Sequence, residues 1–308
     1  MKCSICKKNE AFYLRIHEGT KLCVRCFKNS VEAKVRHTIV KHKMFNREDT
    51  IAAAVSGGKD SLTLLTILKK IESEYPSKLL ALSIDEGIKG YRDEALKIAR
   101  EHCEKLNVPL KIFSFKELYG MSMDEVMELN PRVFPCSYCG VLRRKGIDRG
   151  AKELGADKVA TAHNLDDETQ TFLLNILHGD IERIGRSGPK LTDSRGRFVP
   201  KVKPLYEIPE KEITIYAYIS GIKFQTFPCP YAGSALRNDV RELLNRMEEK
   251  HPGIKYTVLG SMERVREALR SQVADVKLRE CRICGEPTLT EICKACSLIK
   301  GLPIKRPL

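Results

Sequence analysis

Eight of the twelve cysteines fall into two sets whose spacing suits a metal ion. Cys3, Cys6, Cys23 and Cys26 form two CxxC pairs near the start, and Cys281, Cys284, Cys293 and Cys296 form two more near the end. Two thiolates on one tight turn, supplied twice, give four soft ligands for tetrahedral zinc. The first set has the spacing of a zinc ribbon and the second that of a tighter knuckle. Neither leaves a ligand position open, so two structural Zn²⁺ are expected, each stapling a segment too short to build its own core. The alternative, two disulfides at each end, suits a secreted chain.

The other four thiols read differently. Cys103 shares a helical face with Ala95, Ile98, Ala99 and Leu106 and is expected to be a small buried residue. Cys136 and Cys139 lie in Phe-Pro-Cys-Ser-Tyr-Cys, and Cys229 lies in Phe-Pro-Cys-Pro-Tyr. A proline precedes the first cysteine of each stretch, so both read as loops. Three thiols are one short of a closed zinc site. Spacing alone leaves open buried thiols, zinc with a fourth ligand such as histidine, and a metal or cluster with one open coordination position.

A second chemistry lies in residues 49–71. Ile51–Val55 reads as a buried parallel strand, Ser56-Gly57-Gly58-Lys59-Asp60-Ser61 as a turn, and Leu62, Leu64, Leu65 and Leu68 recur at helical spacing. A strand, a glycine turn and a helix start make an anion site, because backbone N–H groups and the helix dipole point at the ligand. Lys59 adds a charge, and Ser56 and Ser61 add donors. The loop is too short for a Walker A motif. The plainer reading is a strand–helix turn capped by Ser and Asp. In His163-Asn164-Leu165-Asp166-Asp167-Glu168, Asn164 suits an N-cap and the acids suit a first helical turn. Beside a triphosphate, the same paired carboxylates could hold Mg²⁺ or steer a target base.

Positioning these groups calls for an α/β fold. Residues 78–84, 109–115 and 156–162 read as further strands with helical patterns between them, giving a parallel sheet flanked by N- and C-terminal zinc-binding modules. Ligands of such sheets sit beyond the carboxyl ends of the strands, where Ser56–Ser61, Ser83–Gly87 and Ala162–Glu168 all fall. The expected units are a zinc ribbon over 1–27, a basic linker helix over 28–48, a catalytic domain over 49–279 and a zinc knuckle over 280–308.

Composition narrows the partner. The 308-residue chain has 54 Lys and Arg against 40 Asp and Glu, a formal charge of +14. At 42% hydrophobic and 31% charged residues it is not a disordered chain. The excess of cations suggests a polyanion, nucleic acid first. Basic clusters comprise Lys28 to Lys43, Arg143 to Lys152, Arg183 to Lys203, and Arg264 to Arg279, the last including Arg270 and Lys277. No apolar run approaches the ~18 residues of a membrane span, and the first ten residues lack the apolar core of a signal peptide. A cytoplasmic protein with no membrane association is expected.

Ser56–Ser61 resembles the pyrophosphatase loop of the N-type ATP pyrophosphatases. With the paired CxxC sets, Cys136-Ser-Tyr-Cys139-Gly, Thr161–Glu168 and Cys229-Pro-Tyr-Ala in order, the chain resembles the tRNA 2-thiouridine synthetases of the NcsA, TtuA and eukaryotic cytosolic thiouridylase group along nearly its whole length. The resemblance implies ATP against Ala54, Ser56, Gly57, Gly58, Lys59, Asp60, Ser61, Ile84 and Ala162, with the adenine along Leu82–Ile84. It implies a catalytic Asp167. It also implies a [4Fe–4S] cluster on Cys136, Cys139 and Cys229, leaving one iron open to an exogenous ligand such as hydrosulfide. Adenylation of uridine O2 would then precede sulfur transfer to C2. A persulfide on Cys136 or Cys229 is the competing mechanism. The implied partners are tRNA, a sulfur donor (free sulfide or a ubiquitin-like sulfur carrier) and a second copy in a homodimer. Arg143 stands where the TtuA branch has a catalytic lysine, and arginine cannot serve as a base. Arg237 and Arg241, in the run after Cys229, favour the wobble-uridine branch over thiolation of position 54. Two rivals remain: a non-enzymatic zinc-ribbon nucleic-acid binder, which leaves the Ser56–Ser61 loop idle, and an ATP pyrophosphatase acting on a small molecule, which leaves the three thiols idle.

Overall fold

The structure, a computed structural model, describes all residues except 75–76, 133, 192–197, 233–235, 270–278 and 301–308. Arg270 and Lys277, and part of the basic segment from Arg183 to Lys203, therefore lie outside the described residues.

The chain opens with an antiparallel ribbon, β1 (Tyr13–Arg15) and β2 (Thr20–Leu22), and runs directly into α1 (Val24–Lys41). The linker helix expected from residue 28 thus starts earlier. Cys23 is its N-cap residue and Cys26 sits in its first turn, whereas Lys43 lies beyond its end. Phe27, Val31 and Val35, four residues apart, are buried with Leu62 and Leu65 and with Ile213 and Tyr216, so α1 packs as part of the main core. Buried Arg15 pairs with Glu212 at 2.7 Å and fixes the ribbon to that core.

Alternating strands and helices follow: β3 (Thr50–Ala54), α2 (Lys59–Glu72), β4 (Lys78–Asp85), α3 (Tyr91–Lys105) and β5 (Leu110–Ser114). Next come α4 (Phe115–Tyr119), α5 (Met123–Leu129), α6 (Pro135–Glu153), β6 (Lys158–Ala160), α7 (Leu165–Leu177) and α8 (Ile181–Arg186). β7 (Lys190–Leu191), β8 (Lys201–Val202), α9 (Glu210–Ile219), α10 (Leu236–Lys250) and α11 (Ile254–Leu269) complete the core. Among the described residues the sheet has the order β5-β4-β3-β6-β8-β7, parallel except for the β7–β8 pair at one edge. The sheet is therefore mostly, not wholly, parallel. Both faces are covered by helices, so β3 reads Ile-Ala-Ala-Ala, with Ala52 and Ala53 fully buried. Cys103 is buried on α3, as its helical face predicts.

The described chain ends with the paired β9 (Arg279–Glu280) and β10 (Pro287–Thr288) and with α12 (Lys294–Lys300), which packs on α6. α6 itself lies hard against the sheet: a Cβ at Gly150 would come within 2.6 Å of both Leu82 and Phe113. Among the described residues, no helix is long and apolar enough to cross a membrane.

Candidate functional site

The glycine turn is a rigid cradle. Gly57 has φ +87°, and a Cβ there would stand 2.4 Å from the Ala95 carbonyl oxygen. Only glycine fits, for both conformation and space. Ser61 Oγ accepts from the Ser56 N–H at 3.0 Å and donates to the Gly58 carbonyl at 3.0 Å, closing the turn on the start of α2. Lys59 Nζ lies 2.9 Å from Asp60 Oδ2 and 2.7 Å from Glu210 Oε1. Burial works against its charge, but these two carboxylates outweigh it and hold its pKa above the ordinary lysine value.

The acidic motif joins the same turn. Asn164 caps α7 through a capping box: its Oδ1 accepts from the Asp167 N–H at 3.0 Å, and Asp167 Oδ2 accepts from the Asn164 N–H at 3.2 Å. Asn164 Nδ2 also donates to Asp60 Oδ1 at 3.2 Å, tying the motif to the loop. The two adjacent acids have different surroundings. Asp166 is buried, accepts from the Glu210 N–H at 2.7 Å and pairs with Lys255, which fixes the fold. Asp167 is only half-buried and has no cation bonded to it among the described residues. Burial, with the nearby Asp60 carboxylate, pushes its pKa up to about 6, against the Asn164 N–H that lowers it.

The three unpaired thiols meet at a cavity of about 300 Å³. Cys136, Cys139 and Cys229 line it together with Ser56 and Gly58 of the glycine turn, and with Glu86, Arg92 and Arg143. Cys229 lies in a loop, as predicted, but Cys136 and Cys139 do not. They are the second and fifth residues of α6, where Pro135 is the first. Proline lacks an N–H that this position does not use, so it starts the helix rather than breaking it. The loop bearing Cys229 is held to the glycine turn by Gln225, whose N–H donates to the Gly57 carbonyl at 3.1 Å. Burial raises the Cys139 thiol to about 11 and the Cys229 thiol above its usual value.

Arg92 and Gln225 carried no signal in the sequence, and Glu86 only its place in the strand-end segment Ser83–Gly87, yet the three help to organise the cavity. Arg92 is buried and donates to the Ser56 carbonyl at 2.6 Å, the Ile84 carbonyl at 2.8 Å and Ser83 Oγ at 2.8 Å. Glu86 Oε2 lies 2.8 Å from its Nε, and Glu86 Oε1 lies 3.5 Å from Arg143. A charged chain thus runs from the glycine turn to the helix of Cys136 and Cys139. Only the position of Glu86 just past a predicted strand could have hinted at it. Ala54 and Ala162 stand half-buried beside the carboxyl ends of β3 and β6. The Ile84 side chain is buried in the core, against the position a Gly146 Cβ would take, so this residue offers the site its backbone only.

Both cysteine quartets are gathered. In each, all four sulfurs lie within 4.8 Å of one another, and the sequence-predicted sets are the sets that meet. Cys6 and Cys23 sulfurs are 3.9 Å apart and those of Cys284 and Cys293 are 3.8 Å apart, matching the ~3.8 Å edge of a tetrahedral zinc–thiolate site with Zn–S near 2.3 Å. Burial disfavours the thiolates of Cys3 and Cys281, but backbone N–H groups aimed at them win and hold each at about 6. Among the described residues, these two quartets are the only groups drawn together this tightly. Cys136, Cys139 and Cys229 instead line a cavity, which suits a bulkier multinuclear group better than a single ion.

A glycine turn between a parallel strand and a helix, with Ser56 and Gly58 opening on a cavity, defines an ATP-handling PP-loop fold. The sequence profile of the PP-loop domain family matches residues 27–248. Relatives span nearly the whole chain: cytoplasmic tRNA 2-thiolation protein 1 of Drosophila melanogaster is 39% identical over 303 residues, covering 97% of this chain and 88% of its own. A probable sulfurtransferase of Methanocaldococcus jannaschii is 39% identical over 305 residues, covering 96% and 87%. The U34-tRNA thiolase NcsA from Methanococcus maripaludis, solved with its [4Fe–4S] cluster, superposes with a TM-score of 0.85 at 36% identity, over 99% of this chain and 98% of that one. The chain belongs to this tRNA 2-thiolation family of PP-loop sulfurtransferases.

Proposed function

We propose that this chain is a cytoplasmic, ATP-dependent sulfurtransferase that converts the wobble uridine, U34, of tRNA to 2-thiouridine. One observation carries the reading: the glycine turn and the three unpaired thiols open on the same cavity, so phosphate chemistry and sulfur chemistry share one chamber.

ATP binds with its phosphates on the N–H groups of Gly57, Gly58 and Lys59, with Ser56 and Ser61 shaping the turn. Lys59 supplies positive charge where pyrophosphate departs, and Asp60 would help to hold a Mg²⁺ ion that neutralises phosphate charge. Uracil O2 attacks the α-phosphorus and pyrophosphate leaves. Asp167, its pKa pushed up to about 6 by burial, takes the N3 proton that this step releases. The oxygen, now carried by AMP, is a competent leaving group. Hydrosulfide adds at C2, the C2–O bond breaks, AMP departs, and the sulfhydryl proton ends on N3. Cys136, Cys139 and Cys229 fit a [4Fe–4S] cluster with one non-protein ligand, and that group would supply the sulfur-handling chemistry. Arg143, pinned by Glu86, presents a fixed cation to the substrate and does not act as a base. The four cysteines of each quartet would hold one Zn²⁺, which would fix the terminal modules in place.

The test is anaerobic reconstitution with tRNA, ATP and sulfide, followed by nucleoside mapping. 2-Thiouridine at position 34 is the expected product. Thiolation at position 54 alone would overturn the substrate assignment, and full activity in iron-free protein would overturn the cluster in favour of a persulfide route.

A further inference from the structure

Two exposed phenylalanines flank the three-thiol cavity. Phe134 is 81% exposed; it is the N-cap residue of α6 and stands two positions before Cys136. Phe227 is 50% exposed, stands two positions before Cys229 and lines the cavity wall. Both loops leading to the thiols thus present an aromatic face to solvent beside the chemistry. Packing does not ask for this: the buried apolar cluster behind the cavity is built from other side chains, among them Leu142, Tyr138 and Met123. A phenyl face left open at a polar mouth is suited to a ligand with a face of its own.

The charge around the mouth says what that ligand carries. Arg143 and Arg144 lie exposed on α6, and Arg183 on α8 is 75% exposed. Arg143 and Arg144 are consecutive, and Arg143 lines the cavity itself, while Arg183 pairs with Asp180 at 2.9 Å. Crowded cations are relieved by a polyanion. Stacking faces inside a rim of guanidinium groups match an RNA whose bases are splayed out of the helix while its phosphates remain in reach. A paired duplex offers phosphates but no free base face.

We propose that Phe134 and Phe227 form a stacking platform that receives an unstacked nucleotide of a tRNA loop, the arginines of α6 and α8 holding the adjoining phosphates. This rests on the proposed function and deepens it, because it makes an extruded loop nucleotide, not a duplex one, the substrate. Stacking at the rim would place that base next to the cavity that Ser56, Cys136 and Cys229 share.

The test measures binding of a short anticodon stem–loop RNA and of a fully paired duplex of matching length to the full-length protein. Phe134→Leu and Phe227→Leu keep apolar bulk and remove the π face; Phe134→Tyr and Phe227→Tyr restore it. Each leucine variant is expected to bind the stem–loop roughly five- to 150-fold more weakly, the range that loss of one base–aromatic stack gives. Duplex affinity, ATP affinity and the salt slope should stay as in the wild type, because the phosphate contacts remain. The tyrosine variants should bind as the wild type does. Unchanged stem–loop affinity in both leucine variants overturns the platform. So does an equal loss on duplex and stem–loop, or a shallower salt slope. Wild-type protein that binds no stem–loop overturns it as well. The thiolation reading fails separately, if tRNA gains no 2-thiouridine while the phenylalanine dependence of binding persists.

Discussion

The Arg92 guanidinium donates to the Ser56 carbonyl at 2.6 Å, so the last residue before the glycines is fixed from behind by a cation on the next helix. The same side chain reaches the Ile84 carbonyl and Glu86. Loop, strand end and cavity wall are therefore set by one buried group. Arg92→Met would leave Glu86 with only the longer contact to Arg143, and should cost about 3–5 kcal/mol in denaturant unfolding. Arg92→Lys keeps the charge but offers a point in place of a planar fork. It should fold and bind ATP about tenfold more weakly, a loss of ~1.4 kcal/mol. Calorimetry on the folded Arg92→Lys protein decides this; wild-type ATP affinity would remove Arg92 from the positioning of the loop.

Gly57 gives a second prediction. Alanine there meets both the positive φ and the Ala95 carbonyl at 2.4 Å. Either α3 shifts or the turn opens, and both disturb the phosphate cradle. Gly57→Ala should lower stability by about 1–3 kcal/mol and abolish measurable ATP binding. Gly155→Ala, also at positive φ but with open space around its Cβ, serves as the control: it should lose stability alone. Equal ATP affinity in the two variants would contradict the steric argument.

Much of this site is written in short segments. Each CxxC pair, the Ser56–Ser61 turn and the Asn164 capping box are local patterns, and local patterns are set by a few neighbouring residues. What the sequence hid depends on distant pairing or on very short elements. β7 and β8 have two residues each, too few for any period to show, so the antiparallel edge was not visible. Pro135 reads as a breaker until its position as the first residue of α6 is known. The grouping of Cys229 with Cys136 and Cys139 was legible only through the family resemblance, because spacing left it open, and the Arg92–Glu86–Arg143 chain exists only once the sheet has brought β4, α3 and α6 together.

Asp167 ties stability to pH. Its folded pKa of about 6 lies above the ordinary 3.8, so the folded state holds this proton more tightly than the unfolded chain. The stabilisation this supplies is complete below about pH 4 and is lost as pH rises through 6; at pH 7.5 the carboxylate is a cost. Asp167→Asn keeps an acceptor for the Asn164 N–H and removes the charge. Its Tm should match the wild type near pH 5 more closely than at pH 7.5, where the variant should melt about 2–4 °C higher. Thiolation should be lost, and wild-type activity should rise through pH 6 as the base ionises. A Tm difference independent of pH would refute the raised pKa, and near-normal turnover in Asp167→Asn would refute its role as base.

The C-terminal quartet acts on the site through α6. Lys145 Nζ donates to Cys284 Sγ at 2.8 Å and to Cys293 Sγ at 3.1 Å, and one face further along, Lys152 pairs with Glu286 at 3.2 Å. Residues 145 and 152 are two turns apart on one side of the helix, so the knuckle is clamped along the back of the element that carries Cys136 and Cys139. Four thiolates around one Zn²⁺ leave about −2, which Lys145 partly neutralises. Lys145→Gln should therefore release one of two zinc equivalents to a chromogenic chelator several-fold faster, while the other, on Cys3, Cys6, Cys23 and Cys26, leaves at the wild-type rate. Lys145→Arg should restore slow release. Because the knuckle cysteines and Cys139 share one apolar cluster, the fast-releasing variant should also lose the visible absorption of its reconstituted cluster sooner in air. Wild-type zinc release from Lys145→Gln would show that the knuckle holds its metal without help from α6, and the coupling to the thiol cavity would go with it.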